Sequence, residues 1–332
     1  MKANEIAKEL NKLLGENTVT MGSEVKIERI PTGVLPIDYL LDGGLPKNRF
    51  TEVYGDYSTL KSYVAYKAIA ETQKNEGTTA LVDTEHSFDP EWAKSLGVDV
   101  EELIYLTPQN GEEAVDVTEV LLRQEIDLIV WDSVAALLPQ AEEDKREKGV
   151  NHQPARLAAL MSKGLRKLTA ANKSTAVLMI NQTRLNVGQI FGNPETVPGG
   201  KALPFYAAYR IALRKAGKET ETVDIWDGEK TVKSTQISVQ KIRAKIEKSK
   251  MSKPYREIFF DFDLKNGSID ELSFIISVGL ENDLILREGV KKWKIATEET
   301  AIVGYQNFKT HLMENPKEVA KIRKQLMNLL GK

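Results

Sequence analysis

An α/β fold on a mixed, mostly parallel sheet is predicted by two observations. From Phe50 to about Asn181 short apolar runs alternate with helical stretches. The runs are apolar throughout, not at every second position, which marks strands covered on both faces by helices. After Ala208 strand-like segments follow one another directly, adding an antiparallel portion.

The elements follow in order. Ile6, Leu10, Leu13 and Leu14 recur at the spacing of one helix face over Asn4–Leu14. The polar, β-rich stretch after Gly15 predicts a strand around Val19–Met21. Nothing local holds this helix and strand, so they read as an arm that packs on another copy. "FTEVYG" is a strand and "LKSYVAYKAIAETQKNEG" a helix closed by Gly77. "TTALVDTE", "LIYLTP", "IDLIVWDS" and "TAVLMINQ" are strands, with helices "PEWAKSLG", "NGEEAVDVTEVLLRQE" and about Pro154–Asn172 between them. "AYRIALRKAG" and "TVDIWDGEKTVKSTQISVQKI" form the antiparallel part. Near Asn266 a small α+β unit begins: helix "SIDELSFIISVGLENDLI", hairpin "GVKKWKIATEETAIVGY" and helix "NPKEVAKIRKQLMNLLG". Asn315 as cap, Pro316 at the first position and Glu318 predict a capping box for the last helix. The expected division is an arm at 1–31, an α/β core at 32–265 and a C-terminal α+β domain at 266–332.

Composition narrows the chemistry. The 332 residues hold 46 Lys+Arg, 48 Asp+Glu, three His and no Cys. Without Cys there is no disulfide framework, Cys-ligated zinc or thiol catalysis. Three scattered His make a His-based metal site unexpected. No apolar run approaches the ~20 residues that span a bilayer. The N-terminus is charged and lacks the apolar core of a signal peptide, so a cytoplasmic setting is expected. Between Lys241 and Arg256 seven basic residues face one acid, Glu247. Such a segment is either a solvated face or a contact with phosphates of a nucleotide or DNA.

Gly55-Asp56-Tyr57-Ser58-Thr59-Leu60-Lys61-Ser62 follows the first core strand and opens a helix. It matches G-x-x-x-x-G-K-[ST] except that Leu60 stands for the second Gly. Backbone N–H groups in such a loop cradle phosphates at a helix N-terminus. Lys61 would reach the β- and γ-phosphates, and Ser62 would hold Mg²⁺. Leu60 matters because Gly tolerates backbone angles that Leu does not. Asp83 and Glu85 alternate at a strand end, so both are expected on one face of the sheet. Glu85 there can orient a water for attack on the γ-phosphate. Asp132 ends an apolar strand as a Walker B acid does, positioned to bind Mg²⁺. Asn181 and Gln182 end a fourth strand. Ligands of open α/β sheets bind at the carboxyl ends of strands, so these tips predict one nucleotide site.

The sequence resembles the RecA family of recombinases through "VDTEHSFDPEWAKSLGVD", "DLIVWDSVAALLP", "INQTRLNVGQIFGNPETVPGGKALPFYAAYRIALR" and "KSKMSKPY", in order, along nearly the whole chain. Leu60 departs from the bacterial pattern and matches phage UvsX-type recombinases. The acidic tail of bacterial RecA is not expected after the basic last helix. The resemblance implies that Lys61 and Ser62 bind phosphate and Mg²⁺, Asp132 supports the metal, Glu85 polarises water and Gln182 senses the γ-phosphate. It puts Asp89 and Trp92 against the adenosine; the plainer alternative for Trp92 is a half-buried helix aromatic. Lys248 and Lys250 occupy the family's Lys-x-Lys, which reaches the γ-phosphate on an adjacent protomer; the alternative is contact with DNA alone. His86 is read as structural.

Two loops are expected to meet DNA. The first is the charged stretch "QAEEDKREKGVNHQ". The second runs from Thr183 to Lys201, with Arg184, Asn186, Gly199 and Gly200 for the backbone and Val187, Ile190 and Phe191 as apolar wedges between bases. Arg156 and Arg166 on the intervening helix are further candidates. The implied function is an ATP-dependent recombinase that forms helical filaments on single-stranded DNA and pairs it with homologous duplex. Single-strand-binding and loader proteins are further partners the resemblance raises, and no membrane is expected. The rivals are a RecA-core hexameric helicase and a DNA-coating protein without turnover. The arm, the C-terminal unit and the long Gly/Pro loop argue against a helicase; Leu60 is what raises the second rival.

Overall fold

The computed structural model describes residues 2–15, 18–140, 154–185, 195–226 and 231–329. Short strands β1 (Arg29–Ile30) and β2 (Leu45–Pro46) pair with each other, as do β8 (Arg184–Leu185) and β9 (Glu195–Thr196), and the centre is a nine-stranded sheet. Strands β3 (Arg49–Gly55), β4 (Thr79–Asp83), β5 (Leu103–Leu106), β6 (Leu128–Asp132) and β7 (Ala176–Gln182) run parallel. The first five residues of β10 (Tyr209–Trp226), Tyr209 to Leu213, continue the parallel part against β3. Strands β11 (Thr231–Ser249), β12 (Glu257–Asp263) and β13 (Ser268–Ile269) then add antiparallel neighbours. The order is β13-β12-β11-β10-β3-β7-β6-β4-β5, so the mixed, mostly parallel sheet expected from the sequence is present.

Burial on both faces explains the uninterrupted apolar runs. One face is covered by α2 (Leu35–Leu40) and α3 (Lys61–Lys74), with Leu40, Ile69 and Leu81 in one core. The other is covered by α5 (Gly111–Arg123) and α6 (Pro154–Ala171), with Leu122, Trp131, Met161 and Leu168 in a second core. The first core continues through Phe262 into the C-terminal unit. That unit packs α8 (Glu271–Glu281) on β12, then a small sheet of β14 (Ile285–Glu288), β15 (Lys292–Ile295) and β16 (Ile302–Val303), and helices α9 (Tyr305–Glu314) and α10 (Pro316–Leu329).

Four local expectations are corrected. The helix α1 (Ala3–Leu14) forms with its apolar residues unburied, but Val19–Met21 makes no strand. The Asn11 amide both donates to the Val19 carbonyl and accepts from its N–H, each at 2.7 Å. A lone segment has no sheet edge here, so a side chain satisfies its backbone instead. The predicted helix over Ser268–Ile285 starts only at Glu271, where Asp270 accepts from Ser273 N at 3.0 Å, and it stops at Glu281. Asp283 turns into the left-handed region (φ 56°), and Ile285 begins a strand. The capping box of α10 does not form. Asn315 Nδ2 donates to the His311 carbonyl (2.8 Å), and Glu318 turns toward His311 Nε2 (3.2 Å). Asp83 does not project beside Glu85 but is buried, accepting from the N–H groups of Glu85, Ser87 and Phe88 and from Tyr105 Oη.

Beyond Leu213 and before Val239, β10 and β11 pair only with each other, forming a two-stranded ribbon that leaves the sheet.

Asp38 in α2 is 3% exposed and accepts from Thr32 N (2.6 Å) and Thr32 Oγ1 (2.8 Å). Burial pushes its carboxyl up to about 7 from 3.8, against the lowering effect of those bonds. The native state therefore binds this proton across roughly pH 4–7 while the unfolded chain does not. Stability from this group is full below that window and falls as pH rises through it. Asp38→Asn removes the charge and keeps one acceptor. The expected result is a variant stabilised at pH 8 relative to pH 5, by on the order of 2–4 kcal/mol across the window. Thermal melts of both proteins at the two pH values check it; parallel shifts would contradict it.

Candidate nucleotide site

The P-loop lies between β3 and α3, at the carboxyl end of the parallel strands. Neighbouring strands β3, β7, β6 and β4 deliver Gly55, Gln182, Asp132 and the turn to Glu85 at that edge. Gly55 has no room for a side chain: an added Cβ would lie 2.2 Å from the Leu213 carbonyl oxygen of β10. Thr59 Oγ1 donates to the Asp56 carbonyl at 2.8 Å, and Lys61 Nζ reaches the same oxygen at 2.7 Å. Asp56, Tyr57, Ser58 and Thr59 thus form a closed turn. Leu60 sits at φ 70°, ψ 20°. It keeps the left-handed conformation that Gly serves elsewhere, at roughly 1–2 kcal/mol of backbone cost, while its half-buried side chain packs on the first core.

Ser62 Oγ donates to Asp132 Oδ2 at 2.9 Å. A hydroxyl and a carboxylate oxygen held side by side at the strand end are the hard donors that Mg²⁺ takes, so the residues fit that ion. Burial first, then the negative charge of Glu85, pushes the Asp132 carboxyl up to about 6, with Ser62 and Lys61 opposing. Lys61 is shifted below the usual lysine range by burial, against the pull of Asp132, Glu85 and Asp56.

Glu85 accepts from Gln182 Nε2 at 2.7 Å and from Ser133 Oγ. The acid expected to orient water and the amide expected to sense phosphate are thus in direct contact. Ser133 was not legible as part of the site, although it follows Asp132 directly. Thr84 Oγ1 fixes it by donating to its carbonyl at 2.7 Å and accepting from its N–H at 3.1 Å. One residue before Gln182, Asn181 is buried and donates to Glu52 Oε1 and to the Pro198 carbonyl, both at 3.1 Å. Glu52 is paired in turn with Arg210. Glu52 gave no signal in the sequence because a lone acid inside a strand reads as a solvent-facing position.

Asp89 caps α4 (Pro90–Ser95), its carboxylate accepting from Glu91 N and Trp92 N. Trp92 is 42% exposed and meets Tyr66 edge-on at 5.0 Å. Tyr66 follows Lys61 by five residues on α3, so an aromatic surface flanks the P-loop helix.

Lys248 and Lys250 are not brought to Lys61 within one chain. Lys248 is opposite Arg210, which is opposite Glu52. That is three residues, about 10 Å, back from Gly55 and two strands, about 10 Å, to the side. Lys248 Nζ donates to the carbonyls of Pro204 (2.6 Å), Phe205 (2.9 Å) and Ala207 (3.0 Å) at the end of α7 (Ala202–Tyr206). Burial, with Lys250 and Arg210 nearby, lowers it to about 8. Lys250 Nζ reaches the Tyr206 carbonyl at 3.4 Å and lies over the Phe205 ring. The rest of the basic segment is largely neutralised by ion pairs: Lys241 with Asp261, Arg243 with Glu257, Lys245 with Glu247 and Arg256 with Asp42. The expected uncompensated charge is therefore mostly absent, because β12 lays acids beside the basic strand.

Of the expected DNA contacts, Asn186, Val187, Ile190 and Phe191 lie outside the described residues, as does nearly all of the first charged loop. Arg184 is exposed and donates to the Ala135 carbonyl at 3.3 Å. Arg166 is exposed and Arg156 half-buried on α6. Gly199 and Gly200 both have positive φ, and a Cβ on Gly200 would meet Ala158 Cβ at 2.6 Å. These glycines seat the end of the second loop against α6.

Residues 2–268 match the RecA N-terminal domain family. The chain is 40% identical over 317 residues to the RecA protein of Legionella pneumophila strain Corby, covering 94% of this chain and 85% of that one. It is 39% identical over 338 residues to RecA of Saccharopolyspora erythraea, covering 99% and 93%. With RecA of Leptospira biflexa the identity is 37% over 330 residues, covering 97% and 81%.

Proposed function

The chain belongs to the RecA family, and from that premise we infer a DNA-dependent ATPase that drives homologous pairing and strand exchange on single-stranded DNA. The observation that carries this reading is the contact between Gln182 and Glu85 beside the Ser62–Asp132 pair. It joins the machinery of hydrolysis to the strand that leads directly into the second DNA loop.

In this reading Gly55–Ser62 wrap the triphosphate with backbone N–H groups and Lys61 neutralises its β- and γ-oxygens. Ser62 and Asp132 hold Mg²⁺, which when bound offsets phosphate charge. Glu85 orients the attacking water. Gln182 exchanges Glu85 for the γ-phosphate and passes the change through Thr183 to the loop ahead of Gly199. Asp89 and Trp92 carry the adenosine. Lys248 and Lys250 leave the carbonyls of α7 to meet the γ-phosphate of a neighbouring protomer. Arg156, Arg166, Arg184, Asn186 and the glycines face the DNA backbone, with Val187, Ile190 and Phe191 between bases. The functional division follows the arm at 1–31, the core at 32–265 and the unit at 266–332. Leu60 supports the finer assignment to a phage-type member, and a DNA substrate supports a cytoplasmic setting. Homologous duplex, and single-strand-binding or loader proteins, complete the partners.

The arm supports self-assembly. Its helix exposes Ile6, Leu10, Leu13 and Leu14, while β5 ends the parallel side of the sheet with Ile104 and Tyr105 exposed. Strand addition at that edge would pair Val19–Met21. Deleting residues 1–22 is expected to leave a folded, mostly monomeric protein by sedimentation; unchanged long assemblies would contradict it.

The function itself is tested by strand exchange between a single-stranded circle and a homologous linear duplex with ATP. Joint molecules that require homology, without unwinding of a plain duplex, are expected. Homology-independent unwinding would favour the helicase reading.

A further inference from the structure

We propose that Glu298, His311 and Glu318 form a binding site for a divalent cation of the zinc class in the C-terminal unit, apart from the nucleotide site. The three side chains come from the turn between β15 and β16, from α9 and from α10. One carboxylate oxygen of each glutamate and one imidazole nitrogen lie within 4.8 Å of one another. An imidazole with two carboxylates is a donor set that zinc accepts, with water completing a tetrahedron. It is unsuited to Mg²⁺, which prefers oxygen ligands and keeps its own water.

Two further observations point the same way. His311 Nε2 and Glu318 Oε2 lie 3.2 Å apart, yet both atoms are shielded from solvent and neither completes a hydrogen bond. Polar atoms shielded in this way ordinarily have a partner, and a cation between them would supply one. Glu318 also stands at the third position of α10, where the sequence calls for it to close a capping box with Asn315. The carboxylate abandons that bond and turns to the imidazole instead. A cation shared between the carboxylate and the imidazole would account for that choice.

The bound ion would tie the β15–β16 turn to the last two helices.

The test is calorimetric titration of the full chain, stripped with chelator, with ZnCl₂ and no nucleotide. One saturable site is expected, with His311→Ala removing it. Ser62→Ala, which alters the nucleotide site, should leave it intact. MgCl₂ should not displace zinc. Should His311→Ala fail to fold, Glu298→Gln, in a surface turn, replaces it with the same expected loss. Absence of saturable uptake, uptake unchanged in both His311→Ala and Glu298→Gln, or loss in Ser62→Ala would each overturn the proposal.

Discussion

Lys61→Ala is expected to lower DNA-stimulated ATP turnover by about 10²–10³-fold or more, the scale for removing one preorganised charge from a transition state. The fold should survive. Lys61 Nζ makes one described hydrogen bond, to the Asp56 carbonyl at the mouth of the loop, and such a bond contributes only about 1 kcal/mol. Its lowered proton affinity is a cost of burial among backbone groups, which a triphosphate would offset. Phosphate release measured beside a thermal melt separates loss of chemistry from loss of structure. Normal hydrolysis by the variant would remove the P-loop assignment.

Lys248→Ala combined with Lys250→Ala is expected to cost as much or more, about 10³–10⁵-fold, if these cations act as an arginine finger does. The difference from Lys61→Ala lies in binding: with Gly55–Ser62 intact, nucleotide affinity of the free protein should be nearly unchanged. Lys248 also ties three carbonyls at the end of α7, so a modest fall in melting temperature is expected. Fluorescent-nucleotide binding together with turnover distinguishes this from a DNA-only role, in which hydrolysis without DNA would be unaffected.

Much of this site was readable because its residues sit at strand ends. Apolar runs located β3, β4, β6 and β7, and the polar residue closing each run located the edge where they meet. The Leu60 mismatch did not hide the loop, since Lys61 and Ser62 in a strand–loop–helix context were enough. What sequence could not supply was pairing across long separations. The Glu52–Arg210 pair joins residues 158 positions apart, and Glu52 reads as an ordinary strand acid until β10 is laid beside β3. The basic segment misled in a related way: one neutralising acid, Glu247, lies within it, and the others stand on β12 and in Asp42, brought beside it only by strand pairing and packing. Asp83 misled because alternation puts it on the face of Glu85 only while the strand continues, and the chain turns at Thr84. Val19–Met21 shows the limit from the other side, since a segment proposed to pair with another molecule's sheet would have no partner strand in a lone chain.

In the proposed assembly one active site is shared between two protomers. This sharing is tested by mixing the Lys61→Ala protein with the Lys248→Ala, Lys250→Ala protein on single-stranded DNA, each inactive alone. Some interfaces then join an intact P-loop to an intact lysine pair. Partial return of ATPase activity, rising and falling with the mixing ratio, is the predicted result. No recovery, with co-assembly demonstrated in the same filaments, would contradict a shared site and leave Lys248 and Lys250 as contacts to DNA.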